Sequence, residues 1–164
     1  MNNSVQPVRN SKFVGYRVGS TFCLSPTISL SAVHEVPAQL VQLPGTKPWL
    51  MGVSKLGKDL IPYINLSHFL SLPIAEKRGT ARAASPALIL REIQAISSIG
   101  LVVDEVVGFI STGEIADVDD PAFVVPIGFG ACLSGTARAR DRTWALIDLN
   151  TLTNDEKLHK IDLS

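Results

Sequence analysis

Cysteine is scarce in this chain of 164 residues, which contains only Cys23 and Cys132, each within an apolar stretch. Two cysteines are too few for a disulfide framework, so we expect buried free thiols in a reducing compartment. Long hydrophobic runs are also absent. Nothing approaches the ~18 apolar residues that span a bilayer, and the first residues lack the continuous apolar core of a signal peptide. These absences predict a cytoplasmic protein that does not insert directly into a membrane.

The residue combinations that bind metals or form covalent intermediates are missing as well. His34, His68 and His159 are far apart in the sequence, and no pair of Cys or His residues has the short spacing that places two metal ligands on one element. No G-x-S-x-G motif marks a nucleophilic serine. We therefore predict a protein that is not an enzyme and that holds no metal and no cofactor.

An excess of charge of either sign is absent, because 15 basic residues balance 15 acidic ones. A neutral total argues against a nucleic-acid partner. Residues 1–91 nevertheless hold ten bases and three acids, a charge of +7, and residues 92–164 hold five bases and twelve acids, a charge of −7. This division predicts two differently charged partner surfaces, and it permits weak head-to-tail self-association.

Two charged clusters keep a different kind of function open. Residues Asp117–Asp120, together with Glu114, form an acidic loop that is either solvated or able to hold a divalent cation. The Arg138–Arg142 segment has an arginine at every second position and could hold a phosphate. The alternative to a protein-binding module is therefore a small β-barrel ligand-binding domain or enzyme that uses one of these two clusters.

What the chain does contain is a series of short apolar runs rich in Val and Ile, separated by Gly and Pro. This pattern is typical of a β-barrel or β-sandwich and predicts an all-β fold. Helix is limited to a short segment after Asn65 and a second one near the C-terminus, where Thr153 and Glu156 have the spacing of a capping box. Residues 74–86 carry no large apolar residue after Ile74 and are predicted to form a loop.

The chain also shows an internal similarity when residues 52–69 are aligned without gaps on residues 135–152, which either a duplication or the chance likeness of two strand-turn-strand units explains. Both segments read as strand, basic turn, strand, polar residue and short helix. Identical or similar residues coincide at Gly52 and Gly135, Lys55 and Arg138, Ile64 and Ile147, and Leu66 and Leu149. A duplication predicts two small barrels that share a core, because each alone is too small to be stable. The predicted organisation is a flexible N-terminus (1–11), one domain (12–157) and a C-terminal tail (158–164). The domain consists of two approximate barrels, 12–73 and 87–157, which are joined by loop 74–86 and can intertwine.

The segment LPGTKPWLMGVSKLGKDLIPYINLSHFL, Leu43–Leu70, resembles the signature of the CheW-like family of bacterial chemosensory coupling proteins. In outline, that signature has a proline, a Gly-Val pair, an Asn-Leu-Arg-Gly turn and an apolar strand with Pro. Three other segments resemble further family motifs: Val33–Val36 (V-x-E-I), Gly100–Val106 (G-x-x-V-D-x-V) and Asp141–Leu149 (D-D-R…D-L). The resemblance spans about residues 12–153. The segment PGTKPW is most similar to the PilI branch of the family, which serves type IV pilus twitching motility.

The resemblance implies a fold of two SH3-like, five-stranded β-barrels packed together. It also implies a scaffold that couples the cytoplasmic tip of a methyl-accepting chemoreceptor to the regulatory domain of a CheA-type histidine kinase. Such a protein is cytoplasmic and is recruited to membrane-associated receptor arrays. The branch favours control of type IV pilus twitching motility, and a flagellar chemotaxis coupling protein with the same fold is the alternative.

The matched motifs imply a partner-binding surface. Val33–Val36 falls in a partner-facing region and Val103–Asp104 in a strand between core and groove, although the valines fit a pure core role equally well. The Lys55–Lys58 turn takes the place of Asn-Leu-Arg-Gly, with Gly57 at the Arg position. Because the planar Arg fork is lost, we predict that Lys55 or Lys58 supplies the basic contact. The partner-binding residues implied in this way are Val33, Glu35, Val36, Lys55, Leu56, Gly57, Lys58, Val103 and Asp104.

Overall fold

Short strands make up most of the structure, a computed structural model that describes residues 12–57, 59–72, 85–90, 98–154 and Leu158. The predicted all-β fold, with one short helix after Asn65 and another near the C-terminus, is confirmed. Within the described residues, 3-10 turns cover Thr27–Ser29, Thr112–Glu114 and Ile127–Cys132. The strands and helices are β1 (Lys12–Val18), β2 (Thr21–Pro26), β3 (Leu30–Glu35), β4 (Leu50–Leu56), β5 (Asp59–Asn65), α1 (Leu66–Phe69), β6 (Pro86–Leu90), β7 (Ile99–Val102), β8 (Glu105–Ser111), β9 (Ala116–Asp117), β10 (Leu133–Ala139), β11 (Arg142–Ile147) and α2 (Leu149–Thr153).

The strands form two mixed sheets with the same topology. The first sheet has the order β8-β1-β2-β11-β10-β9, and the second has the order β3-β6-β7-β5-β4. Each sheet contains a parallel pair, β2 with β11 or β5 with β7, among antiparallel neighbours. A bridge between Val41 and Val53 extends the second sheet beside β4, as β9 extends the first sheet beside β10. Strand for strand, the two sheets are therefore equivalent.

This equivalence gives the internal repeat a structural counterpart. The hairpin β1–β2 holds the place in the first sheet that β6–β7 holds in the second, and β8 corresponds to β3. Each half of the chain thus contributes its first hairpin to the sheet that the other half completes. Both sheets take strands from both predicted ranges, 12–73 and 87–157. Residues 1–11 and 73–84, which include most of the predicted loop, lie outside the described residues.

Matching backbone irregularities mark the repeat. The β4–β5 register shifts between Leu50 and Gly52, and the β10–β11 register shifts between Leu133 and Gly135. The two glycines have φ values of +147° and +157°, a range that residues with a Cβ rarely adopt. The glycines that coincide in the sequence alignment therefore form the same β-bulge in both sheets.

Both helices begin on a side-chain cap at equivalent positions. The side chain of Asn65 accepts a hydrogen bond from a backbone N–H in the first turn of α1, and the side chain of Asp148 accepts two in α2. Thr153, which the sequence predicted as a helix cap, is the last residue of α2, and Leu158 is again helical. The buried hydroxyl of Thr153 donates to the carbonyl of Leu149 at 3.0 Å. Glu156, the other half of the predicted capping box, lies outside the described residues.

Three apolar clusters form the core. The largest, which we call the shared core, contains buried residues of both sheets and of both helices. Each of the two smaller clusters belongs to one sheet: the Trp144 cluster to the first and the Tyr63 cluster to the second. Leu158, assigned to the tail by the sequence, is 1% exposed and belongs to the shared core.

One glycine in each sheet makes room for the aromatic ring of its small cluster. A Cβ on Gly15 would lie 3.0 Å from the ring of Trp144, and a Cβ on Gly100 would lie 2.7 Å from the ring of Tyr63. Real Cβ atoms essentially never approach other atoms to less than 3.0 Å, so the second sheet has no space for a methyl group at this position.

We predict that Gly100→Ala destabilises the protein by about 1–3 kcal/mol, because the added methyl group overpacks the interior of the second sheet. Gly113→Ala is the matched control, since no atom lies within 4 Å of a Cβ added there. Urea unfolding followed by circular dichroism measures both variants. Equal unfolding midpoints for Gly100→Ala and the wild type would contradict the prediction.

The hairpin exchange predicts that neither half of the chain folds alone. Fragments 1–72 and 85–164 would each lack the hairpin that completes their sheet, so each apolar core would be open to water. We expect no cooperative thermal unfolding for either fragment and a cooperative transition for their equimolar mixture. A fragment that unfolds cooperatively by itself would show that the exchange is not required for folding.

Candidate functional site

Several of the residues that the sequence singled out lie in one row at an end of the second sheet. Glu35, at the end of β3, pairs with Pro86 at the start of β6. The N–H of Val103, just after β7, donates to the Pro86 carbonyl at 3.0 Å, and the N–H of Val36 donates to the preceding carbonyl at 2.8 Å. These contacts bring Glu35, Val36, Val103 and the adjoining Asp104 together; we call this region the Glu35 end.

Side-chain burial divides these residues between core and surface. Val36 is 8% exposed and Val103 is 3% exposed, so the core role that the sequence left open fits both. Val33 is half-buried and packs against the shared core. Glu35 and Asp104 are exposed. A side-chain contact with a partner at this end therefore falls to Glu35, Asp104 and the accessible part of Val33.

Asp104 also holds the exchanged hairpin in place. Its Oδ2 accepts a hydrogen bond of 2.6 Å from the N–H of Gly19, in the turn between β1 and β2. Its own N–H donates to the carbonyl of Arg17 at 2.9 Å. The Arg17 guanidinium donates to the Gly19 carbonyl at 2.7 Å and pairs with Glu105 at 3.0 Å. The end of β7 is thereby attached to the first sheet.

His34 has a partner that the sequence did not reveal. Its Nε2 shares a hydrogen bond of 3.1 Å with the hydroxyl of Tyr63 on β5. Strands β6 and β7 separate β3 from β5 in the sheet order, so the two side chains meet across the inside of a curled sheet. Tyr63 is 2% exposed, and desolvation raises the pKa of its phenol. The two residues are 29 positions apart, and no local pattern connects them.

The Lys55–Lys58 turn lies at the opposite end of the second sheet. Strand β5 runs parallel to β7, and its last residue, Asn65, pairs with Val102 at the Glu35 end. The first residue of β5, next to the basic turn, is therefore about 20 Å away at the usual rise of an extended strand. The predicted site residues thus occupy two separate surfaces of one sheet.

The backbone of the basic turn fits its sequence. Gly57 has a φ of +66°, a conformation that glycine adopts without steric cost. Lys55 is exposed, and its register partner, Leu60, is 64% exposed, so a basic and an apolar side chain lie side by side. Leu56 ends β4, and Lys58 lies outside the described residues. Of the two lysines proposed for the basic contact, the structure describes only Lys55.

The arginines of the Arg138–Arg142 segment are held by three different neighbours. A phosphate site needs guanidinium groups that converge on one point. The observed contacts instead pair Arg138 with Thr143 (3.0 Å), Arg140 with Glu114 (3.0 Å) and Arg142 with the ring of Phe22 (3.7 Å to its centroid).

The acidic loop is used for local structure in a similar way. Glu114 and Ser111 form a capping box, and the carboxylate of Asp120 accepts hydrogen bonds from Ala122 (3.0 Å) and Thr143 (3.2 Å). Among the described residues, no group of three or more His, Cys, Asp or Glu side chains is arranged to hold a metal ion.

The charge division along the chain does not become a division between the two sheets. Lys12 and Arg17, from the basic half, lie in the first sheet because their hairpin is exchanged. There Arg17 pairs with Glu105 of the acidic half. Among the described residues, the charged surfaces that remain are local ones: the basic turn and the Glu35 end on the second sheet, and the acidic loop beside the first.

Both cysteines are buried free thiols, as predicted. Burial, and to a smaller extent the neighbouring Cys132, raises the pKa of the Cys23 thiol well above its ordinary value. The thiol form therefore predominates at neutral pH, and nucleophilic chemistry at Cys23 is disfavoured.

Exposed apolar side chains are a feature that the sequence analysis did not single out. Val107 and Phe109 on β8 are 40% and 49% exposed, and Val124 and Ile127 are 80% and 94% exposed. The signal for the first pair is the alternation in the sequence EVVGFIS, which places every second side chain on the solvent face of an edge strand. None of the described helices is long and apolar enough to cross a membrane.

Comparisons with known proteins agree with this architecture. The family model for the CheW-like domain matches residues 12–157. Protein PilI of Pseudomonas aeruginosa strain PAO1 is 30% identical over 103 residues, which cover 63% of this chain and 54% of PilI, so the match spans about half of that protein. The crystal structure of the scaffolding protein TtCheW from Thermoanaerobacter tengcongensis has the same fold, with a TM-score of 0.65 and 21% identity over 87% of each chain. The predicted family resemblance and fold are confirmed.

The Arg140–Glu114 pair gives a pH-dependent prediction. The hydrogen bond from Arg140 lowers the pKa of Glu114, with a further contribution from the Ser111 N–H. A lowered folded-state pKa means that the pair stabilises the protein above the unfolded-state pKa and that this contribution is lost as the pH falls through the folded-state pKa. We expect Arg140→Gln to raise the pKa of Glu114 toward its ordinary value in an NMR titration.

Arg138→Gln is the matched control, because Arg138 donates to Thr143 rather than to Glu114. The difference in unfolding free energy between Arg140→Gln and the wild type should shrink from pH 7 to acidic pH. An unchanged Glu114 titration in Arg140→Gln would show that the ion pair is not formed in solution.

Proposed function

Because residues 12–157 match the CheW-like domain, this chain belongs to the CheW-like family, and we propose that it is a non-enzymatic adaptor of a chemosensory array. It couples the cytoplasmic tip of a methyl-accepting chemoreceptor to the regulatory domain of a CheA-type histidine kinase. It acts in the cytoplasm and is recruited to arrays at the membrane. The description of TtCheW as a scaffolding protein supports the adaptor role. The similarity to PilI supports a role in type IV pilus twitching motility.

The observation that carries this proposal is the separation of the two exposed charged surfaces. Glu35 and Asp104 lie at one end of the second sheet, and Lys55, which pairs with Leu60, lies about 17 Å away along β5. A coupling protein must hold two partners at once, so its contacts have to be far enough apart that the partners do not collide. An acidic surface and a basic surface on one sheet also suit partners of unlike charge.

The described residues also support binding rather than chemistry. Near the first sheet, Arg140 pairs with Glu114, Arg138 and Asp120 both bond to Thr143, and Arg142 lies over the ring of Phe22. The Cys23 thiol is held in its protonated form by burial. Contacts made by single exposed charges are modest in energy. Repetition of many such adaptors in one array would raise the effective strength of each contact.

We predict that charge reversal at each end weakens the binding of a different partner. Glu35→Lys should lower the affinity for one partner by roughly tenfold or more, and Lys55→Glu should lower the affinity for the other. In each case the reversal places like charges across an interface. The measurement is calorimetric titration of the purified chain with the regulatory domain of the kinase and, separately, with a cytoplasmic receptor fragment. Pilus-type and flagellar-type kinases of the same bacterium are compared, and tighter binding of the pilus type is expected.

Matched controls carry the same charge change on the first sheet: Asp117→Lys for the acidic end and Lys12→Glu for the basic end. Both are exposed and should leave the two affinities unchanged. A wild-type chain that binds neither fragment would overturn the adaptor proposal. Binding that is preserved in both Glu35→Lys and Lys55→Glu would overturn the assignment of the two surfaces.

A further inference from the structure

The two sheets close their interiors with different pairs of side chains. In the second sheet, His34 of β3 and Tyr63 of β5 meet across the curled sheet and share a hydrogen bond. In the first sheet, Ile110 of β8 and Leu146 of β11 occupy the equivalent positions and pack in the Trp144 cluster. The equivalent positions thus carry two hydrogen-bonded polar side chains in one repeat and two apolar side chains of one cluster in the other.

The equivalence of these positions follows from the strand registers. Tyr63 pairs with the bulge glycine Gly52, and Leu146 pairs with the matching bulge glycine Gly135. His34 and Ile110 are each the second-last residue of their edge strand. Each also lies just beyond a register shift with the neighbouring strand, β3 against β6 and β8 against β1. The two pairs of residues therefore occupy equivalent positions in the two sheets.

Packing alone does not require the polar pair, because the first sheet has the apolar residues Ile110 and Leu146 at the same positions. The buried Tyr63 hydroxyl and the half-buried His34 imidazole lose hydration, and the hydrogen bond between them compensates for little more than that loss. An apolar pair is at least as stabilising. The hydrogen bond adds a constraint on geometry, because it weakens steeply when the donor and the acceptor are misaligned. It therefore restricts the orientation of the two side chains.

This geometric constraint acts on strand β3, which carries both His34 and Glu35. The strand lies at one edge of the second sheet and, among the described strands, its hydrogen-bonded neighbour is β6. Alternation along the strand puts Val33 and Glu35 on one face and His34 on the other. In agreement, Val33 packs on the shared core, whereas His34 reaches Tyr63 inside the second sheet. His34 can therefore hold the strand without touching a partner bound at Glu35.

We propose that the hydrogen bond between His34 and Tyr63 is a positioning contact that holds the β3 edge, and with it Glu35, in the conformation that binds a partner. This inference rests on the proposed function for the nature of that partner, either the kinase regulatory domain or the receptor fragment. His34 and Tyr63 are positioning residues, and neither belongs to the contact surface itself.

The test compares Tyr63→Phe with Tyr16→Phe. Both variants remove one buried tyrosine hydroxyl, and the hydroxyl of Tyr16 bonds to Ser25 in the shared core at 2.8 Å. Tyr63→Phe is expected to lower the affinity for one partner by about threefold to tenfold. This partner is the one whose binding Glu35→Lys also weakens. Tyr16→Phe is expected to leave that affinity unchanged. A purely structural role for both hydroxyls would make the two variants behave alike.

A second readout does not depend on any partner. The N–H of Val36 bonds to the Ser85 carbonyl, so its hydrogen exchange reports the opening of the end of β3. This exchange should accelerate in Tyr63→Phe and stay at the wild-type rate in Tyr16→Phe. His34→Gln, which keeps a hydrogen-bonding group near the position of Nε2, should retain most of the affinity and the slow exchange.

The double variant His34→Ile with Tyr63→Leu copies the apolar pair of the first sheet. It should unfold at a urea concentration no lower than the wild type and still bind the Glu35-dependent partner more weakly. Wild-type affinity and exchange in Tyr63→Phe, or wild-type affinity in the double variant, would overturn the positioning role. If the wild-type chain binds neither fragment, the proposed function fails, and the Val36 exchange still decides whether the contact holds β3.

Discussion

Two parallel strand pairs, β2 with β11 and β5 with β7, are the contacts on which the rest of this structure depends. Each pair joins a strand from the first half of the chain to a strand from the second half. Ser25 reinforces the first pair, because its buried hydroxyl donates to the Ile147 carbonyl at the end of β11 and also bonds to Tyr16. Parallel neighbours cannot be joined by a tight hairpin, so distant segments have to meet before either sheet is complete. The shared core is buried only when they do.

The same arrangement accounts for the positions of the candidate contacts. A strand that pairs in parallel with its neighbour brings the ends of both strands to the same edge of the sheet, so Asn65 lies beside Val102 and the Glu35 end. The hairpin turn that precedes β5 is then forced to the far end. The two predicted contact surfaces are therefore separated by the length of one strand, and the sheet between them is held by main-chain hydrogen bonds. An adaptor can keep two partners apart in this way without any moving part.

Much of the fold was predictable because it depends on local patterns. Alternating apolar residues between glycines and prolines marked the strands, Asn65 marked the start of a helix, and the alignment of Gly52 with Gly135 marked a repeated β-bulge. The capping box predicted at Thr153 stays a prediction, because Glu156 lies outside the described residues, whereas the bond from the Thr153 hydroxyl back to Leu149 was not foreseen. The candidate site was less accessible. Motif spacing indicated Glu35 and the basic turn, but it could not separate the core valines at positions 36 and 103 from residues that reach a partner.

The sequence by itself determined the strand periodicity, the duplicated unit, the absence of metal and nucleophile motifs, and the exposed polar residues Glu35 and Lys55. These properties follow from side-chain type and from spacing within one element. Only the tertiary structure decided that the hairpins exchange, that Arg17 meets Glu105, and that His34 reaches Tyr63. Those contacts join residues up to 122 positions apart, as Ser25 and Ile147 are in the pair of β2 with β11. These contacts depend on how the sheets curl and pack. The order of side chains along a single strand does not specify that packing.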